Sequence, residues 1–204
     1  MLNKKLLILG GISHMIDVVE KAKEMGIFTI VCDYSPTSPA KLIADKAYDV
    51  STTDIDRLYE IAKAENIDGV FAGFEDLNTW NALKLCSRIN KSFYATEEQL
   101  LITSNKSMFK NFCRKVGVPV VPEYHLESIE DISGLSEKFF PLIVKPVDSY
   151  GSRGITIVQN ATELEDAYEK ARQYSKTNSL IVEKFLNGYG LELYYTVING
   201  SLYL

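Results

Sequence analysis

The sequence has no hydrophobic run long enough to cross a bilayer. Its first apolar stretch, Leu6–Leu9, follows Lys4-Lys5 and ends at Gly10-Gly11, far short of the roughly 20 residues a transmembrane helix needs. This stretch is thus not expected to span a membrane, and it carries no signal-peptide pattern. Cysteine is sparse. Cys32, Cys86 and Cys113 lie far apart and match no metal-ligand or redox spacing, so an odd, scattered set of thiols points to a reducing cytoplasm. The two histidines, His14 and His125, have no partner in the sequence pattern and read as structural. No cluster of Lys or Arg interrupts a net charge of −5, which argues against nucleic acid as a partner. Internal repeats and low-complexity tracts are absent.

Two glycine fingerprints are also missing. No Walker-type strand–loop–helix site is present. Gly10-Gly11-Ile12-Ser13-His14 follows a strand, and Asp33 closes the next one, but the three-glycine dinucleotide pattern is not completed. A Rossmann-type NAD(P)-binding protein therefore remains a minor alternative.

What is there supports a folded core. The 204 residues are 46% hydrophobic, enough for one large domain or two small ones. The first half alternates strand and helix: strands at Leu6–Leu9, Phe28–Cys32, Tyr48–Val50 and Gly69–Ala72, helices at Ile16–Met25, Ile55–Ala64 and Leu77–Ile89, and a brief strand at Phe93–Ala95. Such alternation predicts a parallel sheet covered on both faces. The pattern changes near residue 96, which sets domains of 1–98 and 99–204. Thr103-Ser104-Asn105 offers caps for a helix running to Val116, stopped by Gly117 and Pro119. A helix at Glu163–Tyr174 and strands at Ser179–Glu183 and Leu191–Ile198 follow, then an Asn199-Gly200 hairpin turn. Ending four residues after that turn, the chain reads as the front part of a longer protein.

The most informative stretch runs from Phe140 to Val158. Two apolar runs, Leu142–Val144 and Ile155–Val158, read as strands, the second because Ile-Thr-Ile-Val is β-branched throughout. Between them lie Lys145-Pro146 and the loop Ser149–Gly154. Glycines let backbone N–H groups approach an anion, and Lys145 and Arg153 offset its charge. A guanidinium on a loop can grip phosphate with two hydrogen bonds. The flap is therefore strand–loop–strand. Further on, Glu183-Lys184-Phe185-Leu186 looks like a sheet edge feeding a linker. Its backbone groups can read an adenine edge, and Glu183 can accept from the exocyclic amine or orient the adjacent Lys184. Glu192 could accept ribose hydroxyls. Lys106, at a helix start, is disfavoured by the helix dipole, which hints at a ligand.

These residues in this order resemble the ATP-grasp superfamily of ligases. The matching pieces are Asn105-Lys106…Lys110…Gly117-Val118-Pro119, Pro141–Lys145-Pro146, Ser149–Gly154 and Glu183-Lys184-Phe185-Leu186…Glu192. Gly73-Phe74-Glu75-Asp76 and Phe93–Gln99 look most like proteins similar to the carbamoyl-phosphate synthase large subunit. The resemblance implies an α/β fold: a parallel pre-ATP-grasp domain followed by the first part of an α+β ATP-grasp domain. It implies ATP as cofactor, with Mg²⁺ held by acidic residues beyond residue 204. Lys106 and Lys145 would contact phosphates, Ser152, Arg153 and Gly154 would close over them with Arg153 in a catalytic role, Glu183 and the Lys184-Phe185-Leu186 backbone would hold adenine, and Glu192 the ribose. The implied reaction joins a small carboxylate to an amine or a thiol through an acyl phosphate, with this chain alone expected to be inactive. A homodimer is compatible with the resemblance, and a non-catalytic nucleotide-binding module remains the alternative.

Overall fold

A computed structural model describes residues 4–124 and 137–203. The chain divides into two compact units, Met1–Phe112 and Cys113–Leu204.

The first unit is built on β1 (Lys4–Leu9), β2 (Ile27–Asp33), β3 (Lys46–Asp49) and β4 (Gly69–Phe71), in the order β3-β2-β1-β4. All pairs are parallel, with Leu7 opposite Ile30 and Val70. Leu7, Ile8 and Leu9 are all fully buried, which is why β1 reads as an unbroken apolar run: a parallel strand covered on both faces has no polar side to show. One face packs Leu7, Leu9 and Ile30 against α3 (Ile55–Glu65) and α4 (Asp76–Arg88). The other packs Ile8 and Val31 against Met15 and Val19 of α1 (Met15–Glu24) and Ala40 of α2 (Pro39–Ile43). Burying Glu65 needs compensation. Lys46 Nζ at 2.5 Å and the Tyr48 hydroxyl both donate to its carboxylate, and these bonds hold its pKa below the usual carboxylate range against the opposing effect of burial.

Two expectations from the sequence change here. Phe93–Ala95 forms no strand. The Phe93 and Tyr94 rings pack 4.0 Å apart, and the Tyr94 hydroxyl donates to the Ala72 carbonyl, so the aromatics serve tertiary packing instead of a ladder. A helix not anticipated, α5 (Glu97–Ser104), opens on a capping box in which Thr96 Oγ1 accepts from Gln99 N and Gln99 Oε1 accepts from Thr96 N. Asn105 then caps α6 (Lys106–Lys115), its Oδ1 accepting from Met108 N at 3.0 Å.

The second unit has an antiparallel sheet of β5 (Glu123–Tyr124), β6 (Leu142–Pro146), β7 (Thr156–Val158) and β8 (Leu180–Lys184), in the order β5-β8-β6-β7. Leu142, Val144, Val158 and Val182 face Leu164, Ala167 and Ala171 of α7 (Thr162–Gln173). β9 (Thr196–Ile198) and β10 (Ser201–Tyr203) form a separate hairpin around Asn199-Gly200, both with positive φ. The strand expected over Leu191–Ile198 is thus confined to its last three residues. The ladder with β10 reaches only Thr196–Ile198, and the exposed stretch before it, with Leu191 at 90% and Leu193 at 66%, forms no strand.

Candidate functional site

The period of two along β6 decides what it offers. Leu142, Val144 and Pro146 are buried, while Ile143 and Lys145 point to the opposite face. In the β6–β8 register Ile143 stands opposite Glu183 and Lys145 opposite Ile181. Lys145 and Glu183 are therefore diagonal neighbours on one face, and Lys145 Nζ donates to Glu183 Oε1 in an ion pair. Their side chains are 19% and 6% exposed. Glu123 of β5 lies directly across from Glu183. Two carboxylates this close repel, and each has its own cation: Arg114 Nη2 donates to Glu123 Oε2. Neither Arg114 nor Glu123 carries a sequence signal for this role. Strand register sets Glu123 against Glu183, and Arg114 reaches Glu123 from the last turn of the helix Lys106–Lys115.

The flap follows from the end of β6. Gly151, Ser152 and Gly154 have φ of 63°, 57° and 74°, a left-handed run that turns the backbone sharply. Ser149 Oγ donates to the Arg153 carbonyl at 2.9 Å, closing the loop on itself. Ser152 and Arg153 are exposed, whereas Gly154 is buried. A Cβ there would meet Pro146 Cγ at 2.8 Å and Tyr174 Cβ at 2.9 Å.

The linker after β8 is partly engaged. Lys184 N donates to the Pro122 carbonyl at 3.1 Å and Phe185 N to the Pro141 carbonyl at 3.0 Å. Glu192 is exposed and accepts from the Tyr194 hydroxyl at 2.8 Å. Lys106 is half-buried in the first turn of α6 and belongs to the first unit. So Lys145 and Glu183 are in contact, with Glu123 opposite Glu183 on the same face, while Ser152, Arg153 and Gly154 belong to the loop that follows. His125 lies outside the described residues. Among the described residues no group of three His, Cys, Asp or Glu side chains could hold a metal ion, and no helix is long and apolar enough to cross a membrane.

The glycine turn after β1 is consumed by its own packing. Asp33 Oδ2 accepts from Gly11 N at 2.7 Å and Oδ1 from Ser35 N at 2.8 Å, while Ala40 N donates to the Gly11 carbonyl. A Cβ on Gly10 would stand 2.7 Å from Asn78 Nδ2, and one on Gly11 2.5 Å from Ser38 Cβ. The acid and the amide that a dinucleotide would use are bonded to each other.

Comparison with known proteins accords with this division of roles. Residues 6–101 match the family model of the PylC-like N-terminal domain, and residues 105–199 match that of the carbamoyl-phosphate synthase L chain, ATP binding domain. The chain belongs to the ATP-grasp superfamily. ATP-grasp relatives include the formate-dependent phosphoribosylglycinamide formyltransferases of Methanocaldococcus jannaschii, 29% identical over 90% of this chain and 48% of the relative, and of Sulfurisphaera tokodaii, 30% identical over 90% and 47%. The chain thus spans about half the length of the curated relatives it matches. Among solved structures, N5-carboxyaminoimidazole ribonucleotide synthetase from Thermotoga maritima superposes with a TM-score of 0.68 at 25% identity, over 89% of this chain and 46% of that one. The biotin carboxylase domain of 2-oxoglutarate carboxylase from Hydrogenobacter thermophilus superposes with 0.73 at 23% identity, over 91% and 45%, a likeness of fold. The cofactors of this ATP-grasp family are ATP and Mg²⁺.

Proposed function

We propose that this chain is the nucleotide-binding front part of an ATP-dependent ligase that joins a small carboxylate to an amine or thiol. The observation that carries the proposal is the Lys145–Glu183 ion pair on one sheet face, followed in the chain by a glycine-rich flap, inside a segment that matches an ATP binding domain. In this reading ATP, bound with Mg²⁺, supplies the γ-phosphoryl group that converts the carboxylate to an acyl phosphate. Lys145 has three N–H donors. Glu183 takes one and aims the others, so the ammonium offers positive charge to phosphate oxygens without a search of rotamers. Within the flap the Arg153 amide donates to the Tyr150 carbonyl at 3.4 Å, so the Ser152 and Gly154 amides would meet the phosphates, and the exposed Arg153 side chain would add charge that stabilises the transferring phosphoryl group. Lys106 would supply a further phosphate contact from the start of α6.

For the base, the engagement of the Lys184 and Phe185 amides narrows the adenine-reading groups to Glu183, the Leu186 amide and the linker carbonyls. Glu192 would accept from the ribose, the Tyr194 hydroxyl being exchanged for a sugar hydroxyl. Residues 1–98 are proposed as the domain preceding the grasp fold, with a cytoplasmic setting consistent with three buried free cysteines. The magnesium ligands have no assignment among the described residues, and a homodimer is part of the same proposal.

The experiment is ADP release by the intact protein across panels of small carboxylates, with and without amines and thiols. The expected result is release that requires one carboxylate and rises with one nucleophile. ATP turnover indifferent to every carboxylate, or binding of NAD in preference to ATP, would overturn the proposal.

A further inference from the structure

Asp148 lies two residues beyond β6, at the root of the flap, and the sequence gives it no motif. Its carboxylate nevertheless gathers three donors from one distant turn. Oδ1 accepts from Ser175 Oγ at 2.8 Å and from Lys176 N at 3.2 Å, and Oδ2 accepts from Thr177 N at 3.0 Å. These donors sit 27 to 29 residues away in sequence, on the segment that links α7 to β8. The contacts continue around it. Val147 N donates to the Ser179 carbonyl at 3.0 Å, Ser179 N donates back to Ser175 Oγ at 3.0 Å, and Lys176 Nζ lies 5.4 Å from the centre of the Tyr150 ring. Burial would raise the Asp148 pKa, but the bonds from Ser175, Thr177 and Lys176 outweigh it and hold the group below the usual carboxylate range. It is therefore ionised at neutral pH.

The flap's other end is gripped by the same part of the fold. Gly154 is wedged between Pro146 and Tyr174, and Tyr174 caps α7 just before Ser175. The entry and the exit of the flap are thus both fixed to the α7–β8 turn, and only residues 149–153 span the gap. That span contains the exposed left-handed Gly151 and Ser152.

We propose that Asp148 is a positioning residue for the phosphate flap: by binding the 175–177 turn it sets the direction in which the flap backbone approaches the nucleotide's phosphates. It touches no reacting atom. Asparagine at this position keeps the shape but loses the charge that gathers three donors, and charge-assisted hydrogen bonds are the strong ones. The flap root then has more than one resting place, and each phosphate contact must be ordered at the moment of binding. In the proposed reading the base and ribose are held by the β8 linker and Glu192, not by the flap, so their contacts would be unaffected.

This inference rests on the nucleotide reading of the site, and the test separates the two. The intact protein, Asp148→Asn and the milder Ser175→Ala are titrated calorimetrically with ATP, ADP and AMP, and each is digested with trypsin to follow cleavage after Arg153. Asp148→Asn is expected to weaken ATP about tenfold and AMP by less than about twofold, with ADP between them. Cleavage after Arg153 should quicken, and Ser175→Ala should move both readouts the same way by less. Unchanged ATP affinity in folded Asp148→Asn, or equal losses for ATP and AMP, would overturn the inference, the second because a merely structural role affects every nucleotide alike. If the unaltered protein binds no nucleotide, the reading of the site fails and the phosphate role fails with it, even where faster cleavage after Arg153 shows that Asp148 holds the loop.

Discussion

Glu183 and Glu123 stand across from each other on the β8–β5 pair, and this gives Lys145 a structural role beside the proposed binding one. Removing the ammonium takes from a nearly buried carboxylate, which faces another across the ladder, the ion pair that offsets its burial, and losing one partner of a buried pair is costly. Lys145→Ala is therefore expected to lose about 2 kcal/mol in urea unfolding, a fraction of the fully buried case. Adding Glu183→Gln should restore most of it, since a neutral amide no longer needs the partner. Equal stability of the single and double variants would show that the pair is not coupled. Gly151 and Gly154 make a second contrast. Both have positive φ, but a Cβ at Gly151 meets nothing within 4 Å, whereas at Gly154 it strikes Pro146 and Tyr174. Gly151→Ala should cost about 1 kcal/mol from backbone conformation alone. Gly154→Ala should cost about 2–3 kcal/mol and loosen the flap, because overpacking is added to the same strain. Thermal unfolding of the two variants checks the order. Lys145, Glu183 and the flap glycines were legible in the sequence as single candidates. The contact between Lys145 and Glu183 was not, nor were Glu123, Arg114 and Asp148, because these groups meet their partners through strand register, through a helix packed near a strand, or through a turn many residues distant, which no local spacing encodes.

At the scale of elements, the buried strands announced themselves. The unbroken apolar run of β1 is what a parallel strand covered on both faces requires, whereas β6 alternates, with Ile143 and Lys145 on the face opposite its buried side chains. The miss at Phe93–Ala95 shows the limit of reading short aromatic runs as strands: rings that pack on a neighbouring element satisfy the same composition. The signal for α5 was present as Thr96-x-x-Gln99, and it was masked by reading that stretch only as part of a resemblance. The core elements also carry a pH dependence. Cys32 in β2 and Cys86 in α4 are buried thiols whose pKa values burial pushes up to about 12 and about 11. The neutral thiol is the native form. Above the unfolded value near 8.5 the unfolded chain releases the proton and the folded one does not, so stability falls as pH rises through that value. Each thiol should cost about 1 kcal/mol between about pH 8.5 and 9.5. Urea unfolding of the protein and of Cys32→Ala across that range should show a shallower decline in the variant, and parallel declines would contradict the assignment.

In the whole molecule the chain divides into two units of different make-up. The first supplies a doubly covered parallel sheet whose glycine turn is occupied by its own acid, and the second supplies the charged sheet face and the flap. The similarity to an ATP binding domain spans residues 105–199, and it coincides with the second unit's sheet and its flap. Whether the Lys145 face binds the nucleotide's phosphates is decided by calorimetric titration of the intact protein with ATP in the presence of Mg²⁺, beside Glu183→Gln alone and the stability-compensated Lys145→Ala/Glu183→Gln double variant. The expected result is saturable binding by the unaltered protein and, from Glu183→Gln to the double variant, a further loss of about ten- to a hundredfold, the worth of a hydrogen bond to a charged group. Equal ATP affinity in Glu183→Gln and the folded double variant would contradict a phosphate contact by Lys145.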